Sequence, residues 1–157
     1  AAPGLWAARP VSGAARPLEA ELEALLLGHL LAAWAGDRER SVVIHSDSRA
    51  ALALLRDAVA EPLTLGDARG ERVRRTLRHL LDVRQRAAEV GRRISTVWIK
   101  GHAGHHGNEV ADSLARSIAR NWLAGTDTEE THRRLTRLAG AWEGHDSAAE
   151  EEPPRVA

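Results

Sequence analysis

The 157-residue chain contains no cysteine, no methionine, no phenylalanine and no tyrosine. Without cysteine it can form neither a disulfide framework nor a thiolate metal site. Any metal must be held by oxygen or imidazole, and the chain suits a reducing compartment, with the cytoplasm as the expected location. Because methionine is missing even from position 1, the chain does not begin at an initiator residue, and the expectation is a fragment, a processed product or a trimmed reading frame. Long apolar runs are lacking too. The richest stretch, Ala24 to Ala35, is shorter than a membrane span and is interrupted by His29, so no transmembrane segment is expected. Lysine is almost absent: Lys100 is the single lysine among 22 Lys+Arg. With the heavy use of alanine, this points to GC-rich codons rather than to a function.

What is present belongs to an ordinary folded domain. A hydrophobic fraction of 43% and a charged fraction of 28% exclude disordered, collagenous and coiled-coil classes, and the length fits one domain. The formal net charge of zero is unevenly spread. Residues 125 to 157 carry eight acids against four arginines, leaving the compensating positive excess on residues 1 to 124. We expect residues 1–124 to form the domain and 125–157 a short helix followed by an acidic, proline-containing tail. From Trp142 onward the sequence has no periodicity.

Apolar spacing supplies the elements. Trp6 to Val11 reads as an edge strand carrying Pro10, followed by a turn at Ser12 and Gly13. Leu18, Leu22, Leu25, Leu26 and Leu30 recur at helical spacing, predicting an amphipathic helix over 18–35 that starts after Pro17 and stops near Gly36. Val42, Val43 and Ile44 form a short β-branched run, apolar on both faces as in a buried parallel strand. Ser46, Asp47 and Ser48 then cap a helix running to Ala60. Val73, Leu77, Leu80, Leu81 and Ala88 mark a helix within 67–90, and Ile94 to Lys100 is a second strand. After a glycine and histidine loop, Asn108 is the expected N-cap of a helix through Leu123. Strands alternating with helices indicate an α/β fold with ligands at the carboxyl ends of its strands.

Three acids stand where chemistry could occur. Glu19 and Glu23, four apart, share one face of the first helix, whereas Glu21 is rotated roughly 200° from them and joins Leu18, Leu25 and Gly28. A carboxylate on a packed stripe needs a partner. Asp47 lies at a strand-to-helix junction, where it is either a helix cap or an active-site carboxylate. Asp112 is either a partner of the helix dipole or a member of the same site. The loop between Lys100 and Asn108 holds His102, His105 and His106. This is a weak zinc signal, since there is no cysteine and two of the histidines lie three apart on a flexible glycine loop.

The loop Lys100-Gly101-His102-Ala103-Gly104 with Asp112 ten positions after His102 resembles the last motif of type 1 ribonuclease H. Glu21 within Ala20-Glu21-Leu22 and Ile44-His45-Ser46-Asp47-Ser48 resemble that family's first helix and following strand, in the family's order. The resemblance covers roughly residues 5 to 123 and implies a ribonuclease H-like mixed sheet flanked by helices. It also implies hydrolysis of the RNA strand of RNA·DNA hybrids with two Mg²⁺, for which Mn²⁺ substitutes. That chemistry suits carboxylate oxygens, which hard cations prefer. By the same resemblance Glu21 and Asp47 hold the leaving-group metal, Asp112 holds the nucleophile-side metal, and His102 assists proton transfer or product release. Ser48, Lys100 and Asn108 are expected near the nucleic acid.

One departure from the family is large. Its first strand carries an aspartate bridging both metals, yet no Asp or Glu precedes Glu19. The first two strands have no counterpart, and residues 5–12 match the third. The segment from Asp67 to Arg93 holds nine arginines against four acids, and Arg72, Arg75 and Arg78 are the candidate phosphate contacts for the hybrid. The alternatives are a non-catalytic nucleic-acid-binding or interaction module of the same fold, for which the missing aspartate speaks, and an exonuclease or transposase domain, against which the His102 loop speaks.

Overall fold

The computed structural model describes residues 16–34, 41–60, 70–101 and 103–125, together with Glu129, Arg133, Thr136 and Arg137. The expected strand over 6–11, the stop at Gly36, the segment 67–69, His102 and the tail beyond Trp142 lie outside these residues. In chain order the elements are α1 (Pro17–Trp34), β1 (Val42–Ser46), α2 (Arg49–Ala60), α3 (Glu71–Glu89), β2 (Ile94–Trp98) and α4 (His106–Ala124). This is the α/β alternation that the apolar spacing predicts. None of the described helices is long and apolar enough to cross a membrane.

Among the described residues β1 and β2 form a two-stranded parallel sheet, with Val42 opposite Ile94 and Ser46 opposite Trp98. A parallel pair needs a crossover, which α2 and α3 supply. Helices α1, α2 and α3 share one core, built from Leu22, Leu25, Leu26, Ala51, Leu55, Leu77, Leu80 and Val83. Each leucine buried there contributes about 1.5–3 kcal/mol. A smaller cluster of Ala32, Ala87 and Ile94, joined by Val42 and Ile44, fastens this helical layer to the sheet. At Gly28, α1 comes close enough to β1 that a side chain's first carbon would already touch Ile44 at 3.4 Å.

Three expectations need correction. The strand at 42–46 is not buried on both faces: Val43 and His45 are exposed, as are Ser95 and Val97 beside them, because α1, α2 and α3 pack on the opposite face. Helix α1 is not amphipathic in the expected sense. Its Glu19 and Glu23 edge is covered by α3, where Glu23 accepts a hydrogen bond from the Thr76 hydroxyl at 2.7 Å and Glu19 lies 3.5 Å from the Arg72 guanidinium. Polar partners on α3 make burial of that edge tolerable. Finally, α4 begins at His106, and the first helical bond runs from the Glu109 amide to the His105 carbonyl, so Asn108 lies inside the first turn rather than capping it.

Helix α3 ends by a glycine stop. Gly91 has φ +77°, and the amides of Gly91 and Arg92 return to the carbonyls of Ala88 and Ala87. This Schellman closure turns the chain directly into β2. Arg92, 3% exposed, then donates to the Ala32 carbonyl in the last turn of α1, where the helix dipole favours a cation.

Candidate active site

The site is assembled at the carboxyl end of the two strands. Asp47 follows β1 directly, and the question left open by the sequence was whether its carboxylate caps α2. It does not. The cap is Ser48, whose Oγ accepts from the Ala51 amide at 3.3 Å while its carbonyl accepts the first helical bond from Leu52. With the cap supplied by its neighbour, the Asp47 carboxylate is released for other work. Its Oδ2 accepts from Asn108 Nδ2 at 3.3 Å, a bond possible because Asn108 is not itself a cap.

The loop that follows β2 closes on the same carboxylate. A Cβ at position 101 would stand 2.7 Å from Asp47 Oδ2, so only glycine permits this approach. The backbone of Asp47 is held as tightly. Its carbonyl accepts both the Arg49 amide and the Trp98 indole Nε1–H, each at 3.1 Å. The Arg49 guanidinium in turn lies 4.0 Å from the centre of the Trp98 ring.

Glu21 comes from α1 and Asp112 from the second turn of α4. The half-buried Glu21 carboxyl is pushed above the usual carboxylate range, first by burial and then by the negative charges of Asp47 and Asp112. The three acids anticipated from sequence therefore share one electrostatic neighbourhood, although they come from three separate elements. Asp112 also lies 3.6 Å from Arg116 one turn along α4. Oxygen-only donors of this kind match a hard divalent cation in chemistry. They do not form a ready-made cage, since no three acidic or histidine side chains among the described residues converge on one ion position. Such an ion would need oxygens from elsewhere to complete its shell.

The remaining candidates separate clearly. Lys100 is exposed just beyond β2, and Arg75 and Arg78 are exposed on α3. Arg72 is turned toward Glu19 and is half-buried, so it supports the α1–α3 seam rather than the outer face of α3. Ser48 is occupied as a cap. His102 is outside the described residues. The sequence reading gave Trp98 and Arg49 no role, because their meeting follows from the parallel register that sets Trp98 opposite Ser46. It read His29 only as a break in an apolar run. That fully buried imidazole lies 2.8 Å from the Leu25 carbonyl through Nδ1 and 3.2 Å from Arg84 Nη1 through Nε2, which assigns the proton to Nδ1. Burial holds its pKa below the ordinary value.

Comparison with known proteins bears on the family of the chain. A ribonuclease H of Nitrosococcus oceani is 49% identical over 43 residues, which are 26% of this chain and 29% of that protein. A ribonuclease H of Helicobacter acinonychis is 50% identical over 36 residues, 23% of this chain and 25% of the relative. A third, from a Jannaschia species, is 54% identical over 39 residues, 24% and 25% of the two chains. The matched segments thus span under a third of the length of these relatives. No solved structure matches the chain. The RNase H family model, by contrast, matches residues 10–120, a stretch that contains α1, both strands and most of α4. With Glu21, Asp47 and Asp112 gathered by the elements this match covers, the chain belongs to the RNase H family.

Proposed function

We propose that this chain carries the chemistry of RNA·DNA hybrid hydrolysis, cutting the RNA strand at a phosphodiester held against Glu21, Asp47 and Asp112. The observation that carries the reading is the shared negative field of these three acids, with the half-buried Glu21 carboxyl pushed above the usual carboxylate range first by burial and then by the charges of Asp47 and Asp112. Such a cluster is costly unless positive charge is brought to it. Two Mg²⁺, or Mn²⁺ in their place, would supply that charge, activate the attacking water and stabilise the leaving oxygen.

Glu21 and Asp47 would hold the leaving-group ion, and Asp112 the nucleophile-side ion, with substrate phosphate oxygens completing both shells. Asn108 and Gly101 both abut Oδ2 of the Asp47 carboxylate. His102, on the loop between β2 and α4, would serve proton transfer or product release. The exposed Arg75 and Arg78 would grip phosphates without reading sequence, and Lys100 would do the same beside the site. Contacts to the 2′-hydroxyl would distinguish the RNA strand.

No acid precedes Glu19 to bridge the two ions, so residues 1–157 alone are expected to cleave hybrids weakly or not at all. An added N-terminal hairpin bearing such an aspartate should restore cleavage. The direct test is a Mn²⁺ titration of the folded protein and its Glu21→Gln, Asp47→Asn and Asp112→Asn variants. The first two should abolish the tighter site and the third should leave it. Loss of the tighter site in Asp112→Asn would overturn the assignment of ligands, and absence of any Mn²⁺ binding would overturn the reading itself.

A further inference from the structure

The Asp47 carbonyl is the centre of a closed set of contacts. The Arg49 amide and the Trp98 indole N–H both donate to it at 3.1 Å, occupying its two lone-pair directions. The loop is completed by the Arg49 guanidinium stacked 4.0 Å from the Trp98 ring centre. Fixing this carbonyl fixes the peptide plane after Asp47, and because the Ile99 amide on the Ser46 carbonyl holds the plane before it, the direction in which the side chain leaves Cα is set by the two together. The carboxylate is then confined from the other side by Gly101 and Asn108. Trp98 is 39% exposed, which is a large apolar surface to leave in water at the end of a strand, and its N–H is directed to a backbone group rather than to solvent. Core packing does not account for it. The Ile99 amide bonded to the Ser46 carbonyl at 3.0 Å already continues the β1–β2 pairing past this point, so the indole contact is additional to the sheet.

We propose that Trp98 is a positioning residue for Asp47, its indole N–H holding the Asp47 carbonyl while Arg49 holds the ring, so that the carboxylate is aimed at a divalent cation before the cation arrives. This inference rests on the reading of Asp47 as a metal ligand. Groups that orient a ligand typically change metal affinity by about 10–100-fold when removed.

The test compares Mn²⁺ affinity in the wild-type chain, Trp98→Phe, Arg49→Leu and Val97→Thr, followed by electron paramagnetic resonance of the free ion. Trp98→Phe keeps a ring for Arg49 and loses only the donor, and it should weaken the tighter site about tenfold. Arg49→Leu keeps the donor but releases the ring, and should weaken the site less, in the same direction. Val97→Thr, on the exposed face of the same strand, should leave affinity unchanged. In the wild type the Trp98 indole proton should exchange with solvent more slowly than that of the exposed Trp34.

Equal affinity in the wild type and Trp98→Phe would overturn the inference while leaving the metal reading intact. Equal weakening by Val97→Thr would also overturn it, by showing that any disturbance of β2 has the same effect. An unprotected indole proton would remove its geometric basis. A wild-type chain that binds no Mn²⁺ would instead remove the functional reading on which the inference stands.

Discussion

Replacing Gly101 by alanine puts a methyl group where the Asp47 carboxylate already sits. The added carbon would lie 2.7 Å from Oδ2, whereas carbon and oxygen need about 3.4 Å. The carboxylate must therefore retreat by about 0.7 Å, several times the roughly 0.2 Å within which metal–ligand distances are held. The same retreat would disturb the Asn108 bond, which at 3.3 Å has little length to spare. Backbone strain does not enter, since Gly101 is not among the glycines with positive φ. The expected result is a loss of Mn²⁺ affinity at the tighter site of about tenfold or more, equivalent to about 1.4 kcal/mol.

Gly104→Ala is the matched control. There φ is +81° and the space around the new carbon is open. It should cost about 1–2 kcal/mol of local backbone strain and leave the metal affinity within about twofold. Isothermal titration with Mn²⁺, alongside thermal unfolding, separates the two effects. If Gly101→Ala binds Mn²⁺ as tightly as the wild type, the carboxylate is not confined by the loop and the argument for the site's geometry fails.

Thr76→Val keeps the shape of the side chain but removes the hydroxyl that donates to buried Glu23. It should lower stability by about 1.5–3 kcal/mol, seen as a lower urea midpoint at unchanged slope; a loss under about 0.5 kcal/mol would mean the bond is not formed. His29 is held neutral by burial, with its pKa below the ordinary 6.5. Below pH 6.5 the unfolded chain takes up a proton that the folded chain refuses until its own lower pKa is reached. Stability should therefore fall through that window, at up to about 1.4 kcal/mol per pH unit, and level off beneath it. Denaturant midpoints of His29→Gln measured across the same window should lack this component, and parallel curves for the two proteins would refute it. Substituting Arg75 and Arg78 by Glu should weaken hybrid binding for every sequence alike. It should also flatten the salt dependence by about 0.9 per lost phosphate contact, whereas Arg72→Gln should leave that slope unchanged because Arg72 faces Glu19.

The sequence alone determined the order of elements and singled out the three acids whose charges meet in the fold. Helical spacing of leucines located α1, β-branched runs located both strands, and glycine with histidine before Asp112 located the loop, because these are properties of neighbours along the chain. Glu21 could be separated from Glu19 and Glu23 by helical rotation alone. What spacing could not decide was anything that depends on a partner distant in sequence. The edge bearing Glu19 and Glu23 has no partner in the spacing itself until Arg72 and Thr76 arrive from α3, more than fifty residues later. Asp47 reads equally well as a cap or as a free acid until Ser48 is seen to cap α2 and Asn108 to reach across from α4.

Arg72, Arg75 and Arg78 look equivalent in the sequence, yet only the packing of α3 on α1 turns the first inward. The role of Trp98 follows from the parallel register, which brings the end of β2 level with the end of β1 and places its indole against the Asp47 carbonyl. Local pattern is written in propensity and periodicity, which act over a few residues. The aim and charge state of a carboxylate are set by whatever the fold brings within a few ångströms of it, and that is decided only when the helices pack and the strands pair.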